Sequence, residues 1–137
     1  MPMNNVCFKT DLFTSQKTRS RSEMALDHFL DCLYKLDCDY LRAKPQTPFI
    51  LNAGVRYRAE SYNKPESWKT IPLVMRDGFG DCEDLACWLA AALTVQRGNV
   101  SRPLWKVKRR GNFSLYHIQV RDSHGRILDP SKALGMR

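Results

Sequence analysis

The stretch Gly80-Asp81-Cys82-Glu83-Asp84-Leu85-Ala86-Cys87-Trp88-Leu89-Ala90-Ala91-Ala92-Leu93 leaves this chain few ways to fold. Its run of Ala and Leu is that of a strong helix former. Asp81 stands where an N-cap belongs, and Asp84 follows in the reciprocal position of a capping box. Leu85, Leu89 and Leu93, with Ala86 and Ala90, share the face that carries Cys82, while Trp88, Ala92 and Val95 make a second apolar face. A helix apolar on two faces is buried on most sides, so the rest of the chain has to wrap around it. Gly78 and Gly80 bracket a tight loop before it. Cys82 is thereby set in the first turn of a buried helix, where converging amide N–H groups favour thiolate over thiol and predict a lowered pKa. Against that lowering, Asp81, Glu83 and Asp84 crowd the cysteine, and carboxylates raise a thiol pKa; Asp81 and Asp84 are expected to be engaged in capping, and Glu83 to face solvent or pair with an arginine.

The remaining elements follow from periodicity. Ser20 with Glu23 predicts a capping box opening a helix to about Arg42. On it Leu26, Phe29, Leu30, Leu33, Leu36, Tyr40 and Leu41 recur at three- and four-residue steps. Pro45 and Pro48 end that helix. Val55 to Ala59 alternates as a short strand or an extended loop, Tyr62 to Pro72 is turn-rich around Trp68, and Ile71 to Gly80 leads into the central helix. After a stop at Gly98-Asn99, Leu104 to Arg109 and Phe113 to Arg121 read as strands joined by a turn at Gly111-Asn112. A turn over Asp122 to Gly125 precedes a third strand, Arg126 to Asp129, and Pro130 stops it, leaving a tail. The fold class is α+β, helices packed on a small antiparallel sheet. Residues 1–19 form an N-terminal basic arm, either a disordered tail or an arm that docks on another subunit, and 20–137 one globular domain.

A cysteine at a helix start, then His117 on a strand, then Asp129 closing the next strand, is the order of parts in a thiol triad. His124 is the other candidate base, but its place in the turn Asp122-Ser123-His124-Gly125 is that of a solvated histidine. Cys87 is the weaker nucleophile, being deeper in the helix and without free amide donors. The segments GFGDCEDLACWLAAAL and YHIQVRDSHGRILDPSKALGM resemble the transglutaminase-like cysteine-protease superfamily, in particular its small single-domain members from bacteria and bacteriophages. The resemblance covers roughly residues 50–137. It implies a transglutaminase-like (papain-like) fold with Cys82 as nucleophile, His117 as general base and acid, and Asp129 orienting the histidine. The Cys82 N–H would be an oxyanion-hole donor, and Trp68, Tyr57 and Asn52 are guesses for a second. It further implies a cysteine-dependent amide hydrolase or acyltransferase acting on a protein or peptide, without a cofactor. The alternative is a virion or assembly component that keeps the fold as a structural or binding module, with the arm meeting other virion proteins.

The 137 residues, 43% of them hydrophobic, suffice for one core. A net charge of +8 favours acidic partners, whether nucleic acid, an anionic surface or an acidic protein. Lys106, Lys108, Arg109 and Arg110 lie beside Trp105, but no nucleic-acid motif accompanies them, so such binding would be nonspecific. Five cysteines in no regular framework predict free thiols in a reducing setting. Cys82 with Cys87, and His28 with Cys32, lack the further ligands of a zinc site. No apolar run is long enough to span a bilayer, and Met1 to Ser22 lacks the apolar core of a signal peptide. The expected location is the cytoplasm of a bacterial host or, on the resemblance, a virion.

Overall fold

Around the helix predicted after Asp81, a computed structural model describes residues 7–10, 19–60, 66–111 and 113–137. In chain order these form β1 (Cys7–Thr10), α1 (Arg19–Ala43), a 3-10 turn (Ile50–Asn52), β2 (Arg56–Tyr57), β3 (Glu66–Lys69) and α2 (Ile71–Asp77). Then come β4 (Phe79–Gly80), α3 (Cys82–Gln96), β5 (Arg102–Arg110), β6 (Phe113–Arg121), β7 (Ile127–Leu128) and α4 (Pro130–Ala133). Helices and small sheets are mixed, in keeping with an α+β class. No helix among the described residues is long and apolar enough to cross a membrane.

Every residue of α3 from Cys82 to Ala92 is buried, as its apolar faces require. Its end is fixed by Gly98, whose φ of +65° lets the Asn99 N–H turn back onto the Leu93 carbonyl at 2.9 Å. α1 lies against it, burying Leu26, Leu30, Leu33, Tyr34, Cys38 and Leu41 and leaving Asp27, Lys35, Asp39 and Arg42 exposed. The side chain of Ser20, half of the expected capping box, lies outside the described residues. On another side of α3 sits the antiparallel sheet β5-β6-β7. Its inner face carries Trp105 on β5 with Tyr116, Ile118 and Val120 on β6, and Ile118 and Val120 are buried.

Four features depart from the sequence-based expectation. Cys7–Thr10, inside the arm, pairs antiparallel with Glu66–Lys69 of the same chain, whereas the expectation was a free tail or an arm on another subunit. Residues 1–6 and 11–18 lie outside the described ones. The supposed turn around Trp68 is therefore a strand, and Trp68 is fully buried with its ring 5.6 Å from that of Phe29. The segment from Ile71 to Gly80 folds as α2 and β4, and β4 pairs in parallel with β2. The tail begins with α4, because Pro130 ends the strand and occupies the first turn of a helix capped by Asp129. Each of these depends on a partner distant in the chain or on a single turn of helix, neither of which periodicity reports.

The core also holds charge. Asp37 is fully buried on α1, and its Oδ1 accepts the Ile71 N–H at 3.0 Å, which fixes the start of α2. Its Oδ2 has no hydrogen-bond partner among the described residues. Burial, with the nearby Asp84 carboxylate adding to it against the Ile71 amide, holds this carboxyl well above the ordinary range. A carboxyl that binds its proton more tightly folded than unfolded stabilises the fold most at low pH. That contribution is lost as pH rises from the unfolded value through the folded one. Asp37→Asn keeps the Oδ1 acceptor and removes the titration. Urea denaturation across mildly acidic to neutral pH is expected to show a flatter stability profile in Asp37→Asn, with its largest gain over the parent protein at the upper end.

Candidate active site

The start of α3 is built from backbone amides and short acids. Asp81 caps the helix, and Asp84 completes the capping box by accepting the Asp81 N–H at Oδ2, 3.1 Å away. Asp84 Oδ1 accepts the Lys69 N–H at 2.8 Å, tying the helix start to β3. Gly80 makes this approach possible, since a Cβ there would stand 3.0 Å from the Asp84 Cβ. Lys69 extends its ammonium to Asp77 Oδ2 at 3.2 Å and to the Phe79 carbonyl at 2.9 Å. Burial raises the Asp84 carboxyl well above the ordinary range, against the pull of the Lys69 and Asp81 amides and the Lys69 charge.

Cys82 opens the helix with its thiol buried. Its pKa is raised well above the ordinary thiol value, contrary to the lowering predicted from the helix terminus. Burial is the largest cause, and the charges of Glu83 and Asp81 add to it; a hydrogen bond from the backbone of Ile118 works the other way. Glu83 is not in solvent, one of the two places expected for it. It is buried, and the Cys82 thiol donates to its Oε2 at 3.5 Å. The Cys82 N–H, expected as an oxyanion donor, donates instead to Asp81 Oδ1 at 2.7 Å. The first-turn amide that would have stabilised a thiolate is thus spent on the cap.

His117 and Asp129 do meet. His117 Nε2 lies 2.7 Å from Asp129 Oδ2, with the two side chains 20% and 14% exposed. Period two on β6 puts Gln119 on the face of His117, and its amide donates to the same Oδ2 at 3.2 Å. Asp129 Oδ1 caps α4 by accepting the Lys132 N–H at 3.2 Å. Burial raises the Asp129 carboxyl, but the bonds from His117, Lys132 and Gln119 outweigh it and hold the group below the ordinary range. Cys82 is brought to this dyad through Ile118, the residue after His117, whose backbone meets the sulfur. No hydrogen bond joins Cys82 Sγ to His117; the thiol donates to Glu83 and the ring meets Asp129.

The other candidates lie apart from this constellation. His124 is exposed in the β6–β7 turn, its N–H donating to Asp122 Oδ1 at 2.9 Å. Cys87 is buried under α1 and donates to the Leu30 carbonyl at 3.6 Å. Two sets of possible metal ligands fall within 4.8 Å of one another, Asp81-Cys82-Glu83 and Glu60-Glu83-Asp84. Three of their carboxylates already serve the backbone, and Glu83 takes the Cys82 thiol: Asp81 accepts from Cys82 and Glu60, Asp84 from Lys69 and Asp81, and Glu60 from Ser67. That explains the acids as anchors for the loops before α3. Gln119 was legible only as a neighbour of His117 on one strand face. The burial of Glu83 had no sequence signal, since an acid in a first turn is ordinarily solvated.

Compared with protein-family models, curated proteins and solved structures, the chain matches none. What the site can do rests on its own geometry.

Neutralising Glu83 removes one of the charges that hold the proton on sulfur. Glu83→Gln is expected to speed iodoacetamide alkylation of Cys82 at neutral pH by up to about tenfold, the ratio given by one unit of thiol pKa. Peptide mapping by mass spectrometry, with the exposed Cys32 as internal reference, measures it.

Proposed function

We propose that this protein is a transglutaminase-like, cysteine-dependent amide hydrolase or acyltransferase in which Cys82, His117 and Asp129 act through an acyl-enzyme. The observation that carries the reading is the 2.7 Å contact of His117 Nε2 with Asp129, made by the residue immediately before the amide that meets the Cys82 sulfur. Asp129 holds the ring so that Nδ1 is the nitrogen available to the thiol, and it stabilises the imidazolium once formed. Nδ1 takes the thiol proton as sulfur attacks the carbonyl carbon of an amide or ester. The tetrahedral intermediate collapses to a thioester as His117 returns that proton to the leaving nitrogen or oxygen. Water or an amine then attacks the thioester with His117 as base, restoring the thiol. Substrate binding has to turn the thiol from Glu83 to His117. The Cys82 N–H can serve the oxyanion only where the oxyanion displaces Asp81 from it.

A second reading has an observation of its own. A buried thiol, raised in pKa and directed to a carboxylate, suits a structural or binding module of a bacteriophage particle that keeps the fold without the chemistry.

Iodoacetamide at mildly acidic pH separates the two. The enzyme reading expects His117→Ala to slow alkylation of Cys82 and to lower turnover of activated esters by about a hundredfold or more, the low end for loss of a general base. It also expects Cys82→Ala to abolish hydrolysis of activated esters. A Cys82 whose alkylation is unchanged by His117→Ala, with no esterase activity, points to the module.

A further inference from the structure

The cations of the β5-β6-β7 sheet whose side chains are described fall into two groups. Arg102 and Arg109 are turned to α1, where Arg102 pairs with Asp31 at 3.4 Å and Arg109 with Glu23 at 3.0 Å. Lys106, Lys108 and Arg121 are exposed and have no ion-pair partner among the described residues. Strand register puts these three on one face. Lys106 stands directly opposite His117, Lys108 opposite Leu115, and Arg121 opposite Ile127. The inner face is the one whose Ile118 and Val120 are buried, so His117, Gln119 and the three cations belong to the outer face. Leu115 and Ile127 lie there too, 48% and 47% exposed. Asp129, beside His117, is already taken by His117, Gln119 and the Lys132 amide.

We infer that this outer face is the docking surface for an acidic polypeptide segment; on the proposed function, that segment is the substrate. Three cations without an ion-pair partner among the described residues, on a sheet that pairs Arg102 and Arg109 with acids, supply the charge complementarity. Leu115 and Ile127 at its margins give aliphatic side chains of the segment something to cover. A single-stranded nucleic acid fits less well, because such surfaces stack bases on exposed aromatic rings. Among the described side chains of the hairpin, the aromatic rings Trp105 and Tyr116 are turned the other way, bonded through Nε1 and the hydroxyl to Asp27 and Glu23 of α1.

Binding can be read without turnover in the full chain carrying Cys82→Ala. The probes are a fluorescein-labelled peptide of Glu, Asp and Leu, a counterpart with Lys and Arg for the acids, and a labelled oligothymidylate. Fluorescence anisotropy is expected to show the acidic peptide bound in preference to the other two, with affinity falling as salt is added. Lys106→Glu/Lys108→Glu/Arg121→Glu is expected to weaken it by about tenfold or more, as the summed loss of three exposed charge contacts predicts. Lys44→Glu, an exposed reversal just beyond α1, controls for net charge and should weaken it far less. Lys108→Glu alone, with an unchanged circular dichroism spectrum, guards against misfolding of the triple variant. Equal affinity for acidic and basic peptides, an equal loss in Lys44→Glu, or tighter binding of the oligothymidylate through the same residues overturns the proposal. Because binding is read without the thiol, a Cys82 that fails to alkylate leaves this surface standing, and a peptide that fails to bind leaves the thiol chemistry standing.

Discussion

The buried carboxylate of Asp84 holds together parts of the chain that have no other reason to meet. One oxygen accepts the amide of Lys69 on β3 and the other the amide of Asp81. Asp81 in turn accepts the amides of Cys82 and Glu60. Hydrogen bonds to a charged acceptor are worth about 1.5–3 kcal/mol each, and leaving such donors unpaired in the interior costs as much. The helix start, the strand before α2 and the loop after β2 therefore stand or fall together. Gly80 lets the carboxylate come this close, and Lys69 brings a buried positive charge to the neighbouring Asp77.

The same network governs the thiol. Acids that secure a helix start compete with the chemistry such a start favours, because they take up its amides and place negative charge beside the sulfur. Here Asp81 has the Cys82 amide and Glu83 the thiol proton. The outcome is a cysteine at rest as a thiol, next to a histidine–carboxylate pair already in contact. On the proposed function, preorganisation is thus uneven, with the base oriented and the nucleophile held back.

The charge of +8 is unevenly distributed as well. α1 places Glu23, Asp27 and Asp31 against the sheet, and they meet Arg109, Tyr116, Trp105 and Arg102. These contacts tie the hairpin to α1 beside the apolar packing of Ile118 and Val120. The outer face, with His117 at its middle, keeps its lysines for solvent.

Local patterns determined a good deal. The capping box of Asp81 and Asp84, the apolar faces of α3, the α1 stripe, the strand Phe113–Arg121 and the stop at Gly98 are all legible because each depends on residues within one or two turns or on strict alternation. Partners far apart in the chain were not legible. The pairing of 7–10 with 66–69, the parallel bridge of β2 with β4, and the burial of Asp37 under Ile71 each join segments with no shared period. The same division runs through the site. Sequence determined which residues stand at the helix start and along the strand, and that Cys82, His117 and Asp129 come in that order. Only the tertiary structure decided that Glu83 is buried against the sulfur and that Asp129 caps a helix while it holds His117, since the field at a side chain depends on what packs around it.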